Sequence, residues 1–280
     1  MAGILYVVAT PIGNLEDVTL RALKVLRDVS VVAAEDTRRT ARLLQHYSIS
    51  TPTTSLHEHN ERQKTPALLD RLARGESIAL VSDAGTPVVS DPGEALVAAA
   101  REAGVRVESI PGPSAVMAAI AASGLPAAEF VFLGFPPSRS KDRKQWLAKA
   151  AKESRLVVFF EAPHRILGTL TDLGEIVGLE QVLGVARELT KVHEELVVRP
   201  ISELLEQFRA PIGEFTLLLP PRQPDVSDAA QTPTKAELVD EFGDLTKTKR
   251  LKRREALKIM ADRHGMAVNA LYRLLGGAGS

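Results

Sequence analysis

Apolar residues along this chain fall into short unbroken runs separated by stretches of helical spacing. Ile4 to Ala9, Val29 to Ala34 and Ile78 to Val81 are almost wholly apolar and rich in β-branched residues. Such runs predict strands buried on both faces, as in a parallel sheet. Between them, Leu20, Leu23, Val25 and Leu26 recur at helical spacing, Leu43 and Leu44 mark a second helix, and Ala67 to Arg74 a third, ended by Gly75. After Ile78 to Val81 the pattern Asp91-Pro92-Gly93-Glu94 reads as a helix start, with Asp91 as cap and Pro92 in the first helical position. An alanine-rich helix over Ala95 to Ala103, a strand from Val105 to Ile110 and a short helix over Val116 to Ala122 follow. This alternation predicts a mainly parallel α/β unit.

A second unit begins near Phe130. Strands are expected at Phe130 to Leu133, Leu156 to Phe160, Val182 to Ala186, Glu195 to Val198 and Glu214 to Leu219, with helices around Trp146, Leu170 and Leu204. Pro220 to Pro233 is rich in Pro, Asp and Gln and reads as a linker. Beyond it, helical patterns start near Lys235, Arg250 and Val268. The organisation expected is an N-terminal α/β domain (1–126), a second α/β domain (127–220), a linker (221–233) and a basic helical module (234–280).

With 45% hydrophobic residues in 280, the chain has enough apolar surface for more than one core, and it contains no cysteine. Disulfides, thiolate metal sites and cysteine nucleophiles are excluded. Formal net charge is zero, so no global basic field points to nucleic acid. Locally, Lys247 to Lys258 holds seven Lys or Arg against one Glu, which reads either as a solvated helix face or as a phosphate-binding surface. No signal peptide and no membrane-length apolar run is present, so a cytoplasmic protein is expected.

The strand ends carry the polar residues. Ser82-Asp83-Ala84-Gly85-Thr86-Pro87 follows the strand at Ile78, and ligands of open α/β sheets bind beyond the carboxyl ends of strands. Thr10-Pro11-Ile12-Gly13-Asn14 has no dinucleotide-binding glycine pattern, and no phosphate-binding loop with its lysine occurs. His57 and His59 do not form a recognised zinc pair, and no metal is expected. Ser114 lacks the flanking glycine of a nucleophile elbow and reads as a cap or ligand donor. Polar strand ends without a covalent-catalysis trio suit a transferase that works by positioning.

Eight stretches together resemble the tetrapyrrole methylase superfamily of S-adenosylmethionine-dependent enzymes. They are Thr10 to Leu15, Ala34 to Arg38, His57 to Glu61, Ser82 to Pro87, Ser90 to Gly93, Pro111 to Ala115, Phe160 to Arg165 and Arg187 to Lys191. Within that superfamily the chain is similar to the branch that methylates a cytidine 2′-hydroxyl in the decoding region of small-subunit rRNA. The tetrapyrrole-forming members carry a Gly-Asp-Pro type loop where this chain has Asp83-Ala84-Gly85-Thr86-Pro87, which favours the RNA branch. The resemblance implies two α/β domains with S-adenosylmethionine in the cleft between them, a homodimer, and small-subunit rRNA or the assembled 30S subunit as partner. It implies cofactor contacts at Pro11, Asp83, Ala84, Gly85, Val88, Pro113, Ser114, Phe160, Ala186 and Thr216. A ribose hydroxyl is a poor nucleophile and a nearby base would help, with Glu35, Asp36, Glu161 and Glu188 as open candidates. Asn14, Arg38, His57, Asn60, Arg165, Arg187 and Lys191 are candidates for holding RNA phosphate or ribose, or are surface ion pairs. Two other functions stay open: methylation of a tetrapyrrole, and a non-enzymatic RNA-binding assembly factor.

Overall fold

The computed structural model describes residues 2–209, 212–221, 235–248, 251–264 and 268–275. The chain divides into two units, Met1–Arg222 and Gln223–Ser280. The first contains two five-stranded sheets. Strands β1 (Ile4–Val8), β2 (Val31–Ala34), β3 (Thr53–Ser55), β4 (Ile78–Val81) and β5 (Arg106–Ile110) form the first, in the order β3-β2-β4-β1-β5. Every pairing in it is parallel. All four residues of both β2 and β4 are buried, as their unbroken apolar runs predict. Helices α1 (Leu20–Asp28), α2 (Thr37–His46), α3 (Glu61–Ala73) and α4 (Glu94–Glu102) make the crossovers, and α5 (Ala115–Ser123) leads out of the sheet. One face packs Leu23, Leu26 and Leu44 on Val8 and Val32, while the other packs Leu68, Leu72 and Leu96 on Leu5 and Leu80.

The second sheet is mixed. Strands β6 (Phe130–Phe132), β7 (Leu156–Glu161), β8 (Val182–Arg187), β9 (Glu195–Pro200) and β10 (Phe215–Leu219) lie in the order β6-β7-β10-β8-β9. Only β6 and β7 run parallel; the remaining pairings are antiparallel. Central β10 is buried throughout. Helices α6 (Ser140–Ala150), α7 (Ile166–Val177) and α8 (Ile201–Gln207) cover one face around Phe159, Leu170 and Phe208. The other face packs Val158 and Leu218 against Val116 and Ala119 of α5, so α5 joins the two halves of this unit.

The halves also meet at the first strand turn. A Cβ on Gly13 would lie 2.5 Å from Lys191 Cγ and 2.8 Å from the Leu189 carbonyl oxygen, so only glycine fits there. Beside it, the Asn14 amide donates to Thr190 Oγ1 at 3.0 Å.

One sequence reading needs correction here, and one strand went unread. Helix α4 starts at Glu94 with Gly93 as its cap at φ 123°, so Asp91 is not the cap and Pro92 is not in the first helical position. Strand β3 has no apolar run to announce it; Thr53, Thr54 and Ser55 are half-buried at the sheet edge.

In the Gln223–Ser280 unit, α9 (Lys235–Gly243), a π-helical turn (Asp244–Thr248), α10 (Arg253–His264) and α11 (Val268–Leu274) pack around Leu238, Leu245, Met260 and Leu271. Of the basic run, Lys252, Arg253, Arg254 and Lys258 are exposed, and the Arg253 guanidinium lies over the rings of Phe242 and Tyr272. Lys249, Arg250 and residues 222–233 of the expected linker lie outside the described residues, as does the side chain of Lys247. No described helix is long and apolar enough to cross a membrane.

Candidate active site

A cavity of about 470 Å³ opens where the two halves of the Met1–Arg222 unit face each other. The first half supplies the carboxyl ends of β2 and β4 and the N-terminus of α5, and the second supplies the ends of β7 and β10. In the first sheet the chain leaves β1 in one direction for β2 and leaves β4 in the other for β5, so the cavity sits at the reversal of strand order.

The loop after β4 is pinned to the loop after β1. Thr10 and Gly85 exchange backbone hydrogen bonds at 2.8 and 3.0 Å, and Thr10 Oγ1 donates to the Ser82 carbonyl oxygen. Gly85 sits at φ 78°, which this turn requires of it. Further along, Val88 at φ 75° and Ser90 at φ 65° hold left-handed conformations that side chains resist, a cost of about 1–3 kcal/mol each. Val88 is anchored by packing with the core under β4.

That contortion delivers carboxylates to the cavity. Asp83 accepts the Asp36 amide at 3.0 Å and lies 3.4 Å from Arg39, while the Asp83 amide donates to Glu35 Oε2 at 3.2 Å. Burial pushes the Glu35 carboxyl up, the Asp83 amide opposes this, and the Asp83 charge adds to it. Asp91 is pushed up to about 6, chiefly by burial, against its hydrogen bond with Ser82 and with help from the charges of Glu35 and Asp83. Among the described residues, Glu35, Asp83, Asp91, Glu161 and Glu214 line the cavity with a single cation, Arg39. The apolar lining includes Ile12, Val116, Phe135, Phe160 and Leu189. Ser114 caps α5, its Oγ accepting the Met117 amide at 3.4 Å, so the first turn of that helix faces the cavity at Ala115 and Val116.

Of the residues singled out as cofactor contacts, Asp83, Ala84, Gly85, Ser114, Phe160 and Thr216 line this cavity. Pro113 lines a shallow groove on the other side of Ile12 and Ser114. Ala186 is buried beside Leu189 and pairs with Thr216 across β8 and β10. Pro11 and Val88 are in the two loops but not among the lining side chains.

The four candidate bases separate. Glu35 and Glu161 line the cavity; Asp36 and Glu188 do not. Asp36 caps α2 and is held well below the usual carboxylate range by its hydrogen bonds with Arg38. Glu161 is fully buried, accepting from the Thr169 hydroxyl and the Ala162 amide, with Arg165 Nε 3.0 Å away but off the line of a hydrogen bond. Burial would raise Glu188, but the Lys191 ammonium and the Glu214 amide outweigh it and hold it down.

The candidates for RNA contact are scattered. Asn14 and Lys191 come together through Thr190, and Lys191 is paired to Glu188 at 2.8 Å and Glu214 at 3.0 Å. Arg38 is exposed and paired to Asp36. His57 and Asn60 bond each other beyond β3, Arg165 holds the loop after β6, and Arg187 pairs with Glu195 while lying over Phe208. Arg39, Asp91, Phe135 and Glu214 line the cavity without having been read as site residues. Only Asp91 had a usable signal, its place in the Ser90-Asp91-Pro92-Gly93 stretch.

Residues 4–205 match the sequence model of the tetrapyrrole (corrin/porphyrin) methylases. The chain belongs to this family. Its methyl donor is S-adenosylmethionine, and the chain is a methyltransferase of that class. A relative from Vibrio cholerae serotype O1, named ribosomal RNA small subunit methyltransferase I, is 48% identical over 97% of this chain and 94% of its own length. A relative of the same name from Thermotoga maritima is 48% identical over 78% of this chain and 98% of its own length. The unmatched fifth of this chain is close in size to the Gln223–Ser280 unit. Among solved structures, the uroporphyrin-III-C-methyltransferase of Thermus thermophilus shares the fold at a TM-score of 0.56, with 21% identity over 78% of this chain and 94% of that one.

The cavity suits this cofactor. S-Adenosylmethionine has a flat adenine ring, a ribose, a sulfonium, an ammonium and a carboxylate, and sites of about 300–1,000 Å³ hold ligands of that size. Five carboxyls against one guanidinium match its two cationic centres, and the first turn of α5 suits its carboxylate.

Proposed function

We infer that this chain transfers a methyl group from S-adenosylmethionine to the ribose 2′-hydroxyl of a cytidine in the decoding region of small-subunit rRNA. The observation that carries the reading is the near full-length likeness to relatives named for small-subunit rRNA methylation. The Asp83-Ala84-Gly85-Thr86-Pro87 loop on the cavity wall supports the RNA branch over tetrapyrrole synthesis.

Bound S-adenosylmethionine supplies an electrophilic methyl group on a positively charged sulfur. Asp83, Ala84, Gly85, Ser114, Phe160 and Thr216 hold it from the cavity wall, and Pro11, Val88, Pro113 and Ala186 support them from behind. Glu35 is the proton acceptor of the reading. Its carboxyl is half-buried, has no ion pair among the described residues, is pushed up by burial and accepts only the Asp83 amide, whereas Asp36, Glu161 and Glu188 are each held by a cation or a buried hydroxyl. Positioning supplies most of the rate, and a placed base a further factor of about 10²–10⁴. Asn14 and Lys191, joined through Thr190, and the exposed Arg38 orient the RNA at the rim. The protein acts in the cytoplasm as a homodimer. Leu20 and Met117, 86% and 54% exposed, adjoin in sequence the residues Thr19 and Ala118 of the shallow groove, and a second copy would cover them.

The test is methyl transfer from labelled S-adenosylmethionine to 30S subunits or naked rRNA from a strain lacking this gene, read by nucleoside mass spectrometry. One 2′-O-methylcytidine is expected, and Glu35→Gln should lower kcat measured at saturating S-adenosylmethionine. Transfer to a precorrin-type acceptor and none to RNA would replace this reading with the tetrapyrrole one.

A further inference from the structure

Phe135 is an exposed aromatic ring on a rigid mount. It is 53% exposed yet lines the cavity, with its ring centroid 5.3 Å from that of Phe160 and tilted 55°. Phe160 is in turn braced by Phe132 in an edge-on contact at 4.9 Å. The backbone beneath is fixed from three sides. The Phe160 amide donates to the Gly134 carbonyl at 2.8 Å. Gly134 turns at φ 67° against Ser90, where a Cβ would come within 3.2 Å of the serine hydroxyl. Arg165 donates to the carbonyls of Pro136 and Pro137 and to the Ser138 hydroxyl, and is itself held over the buried Glu161. Two successive prolines remove further backbone freedom.

We propose that Phe135 is the stacking platform for a nucleobase of the RNA substrate at the cavity mouth. The proposal rests on the methyl-transfer reading above and names how that site holds its acceptor. A nucleotide whose ribose reaches into a cavity must leave its own stack, and unstacked bases are held on aromatic faces. Stacking needs no base-specific hydrogen bonds, which matches the apolar surround of Phe135. The same loop continues into Arg139, which caps α6, and Lys141 in its first turn, both exposed and neither ion-paired among the described residues, so cations for phosphates follow the ring within six residues of chain. The buried Glu161–Arg165 pair is the positioning device behind the platform.

The experiment compares wild type, Phe135→Leu and Phe135→Trp in the full chain. Measured are the KM and kcat for 30S subunits, the Kd for S-adenosylmethionine by calorimetry, and quenching of a 2-aminopurine-labelled single-stranded oligoribonucleotide. Phe135→Leu is expected to raise KM about tenfold or more, leave cofactor Kd within about twofold, and abolish quenching, with Phe135→Trp restoring the KM and the quenching. An unchanged KM overturns the proposal. So does a cofactor Kd weakened as much as KM is raised, which would put the ring against the adenine of the cofactor. If wild type methylates no RNA, the methyl-transfer reading fails, and the quenching decides separately: lost in Phe135→Leu it upholds the platform, absent in wild type it removes it.

Discussion

Replacing Asp91 with Asn should stabilise the ligand-free protein at neutral pH and leave it unchanged in acid. The Asp91 carboxyl is held at about 6 in the folded chain, against 3.8 ordinarily. Between those values the folded state keeps a proton that the unfolded chain has lost. Stability therefore falls as pH rises through the window and stays reduced above it. At 1.36 kcal/mol per tenfold, the interval corresponds to about 3 kcal/mol unscreened, and on the order of 1–2 kcal/mol in a cavity open to solvent. Asparagine is neutral at every pH and retains an oxygen that accepts from Ser82, so it removes the charge while keeping the contact. For a unit of this size the gain is about 2–8 °C in Tm. Thermal unfolding of both proteins from pH 4 to 8 should give coincident Tm values near pH 4 that separate through pH 6. A constant offset, or a variant less stable at pH 8, would show that Asp91 is not confined by Glu35, Asp83 and burial as described. The same change should weaken S-adenosylmethionine binding at pH 8, because a carboxylate facing its cationic centres is lost.

Gly13→Ala should destabilise the Met1–Arg222 unit by about 1–3 kcal/mol in chemical denaturation, since the new Cβ meets the Leu189 carbonyl and the Lys191 side chain. Arg143→Leu should cost about 3–5 kcal/mol by the same assay, towards the low end. It leaves Asp172, 8% exposed, with only Lys144 at 3.5 Å in place of two bonds at 2.7 Å. Neutralising Lys247, Lys249, Arg250, Lys252, Arg253 and Arg254 together should weaken RNA binding and flatten its dependence on salt, leaving cofactor affinity unchanged. Unaltered salt dependence would return that run to a solvated face.

What the sequence revealed of the fold follows burial. Strands β2 and β4, covered on both faces, have no polar residue to break the pattern and could be read directly. Strand β3 pairs only at an edge and contains Thr-Thr-Ser, so nothing local distinguishes it from a loop. The antiparallel pairing of β10 between β7 and β8 depends on contacts between residues up to about 60 apart, which no local pattern encodes. In the site, Asp83, Gly85 and Ser114 were legible because each stands in a distinctive strand-end stretch. Phe135 was not, because a phenylalanine after a short strand reads as core, and only the adjacency of β6 and β7 brings it over Phe160.

The misreading of Asp91 is the more instructive one. Asp-Pro-Gly-Glu is a sound helix-start pattern, and the helix does begin there, but its cap is Gly93, two residues after the aspartate. The reason lies upstream. Gly85, Val88, Ser90 and Gly93 all take positive φ within nine residues, so the loop cannot run straight from β4 into α4. Val88 packs, half-buried, against the core below, and a Cβ on Gly93 would collide with Leu80 Cδ2 at 2.6 Å. With Val88 half-buried against that core and Gly93 turned, Ser90 and Asp91 are left facing the cavity, and Ser90 is placed against the turn that carries Phe135. The same loop that brings a desolvated carboxylate into the cavity thereby abuts the mount of the aromatic ring at its mouth, and Asp91 lines the cavity instead of capping the helix.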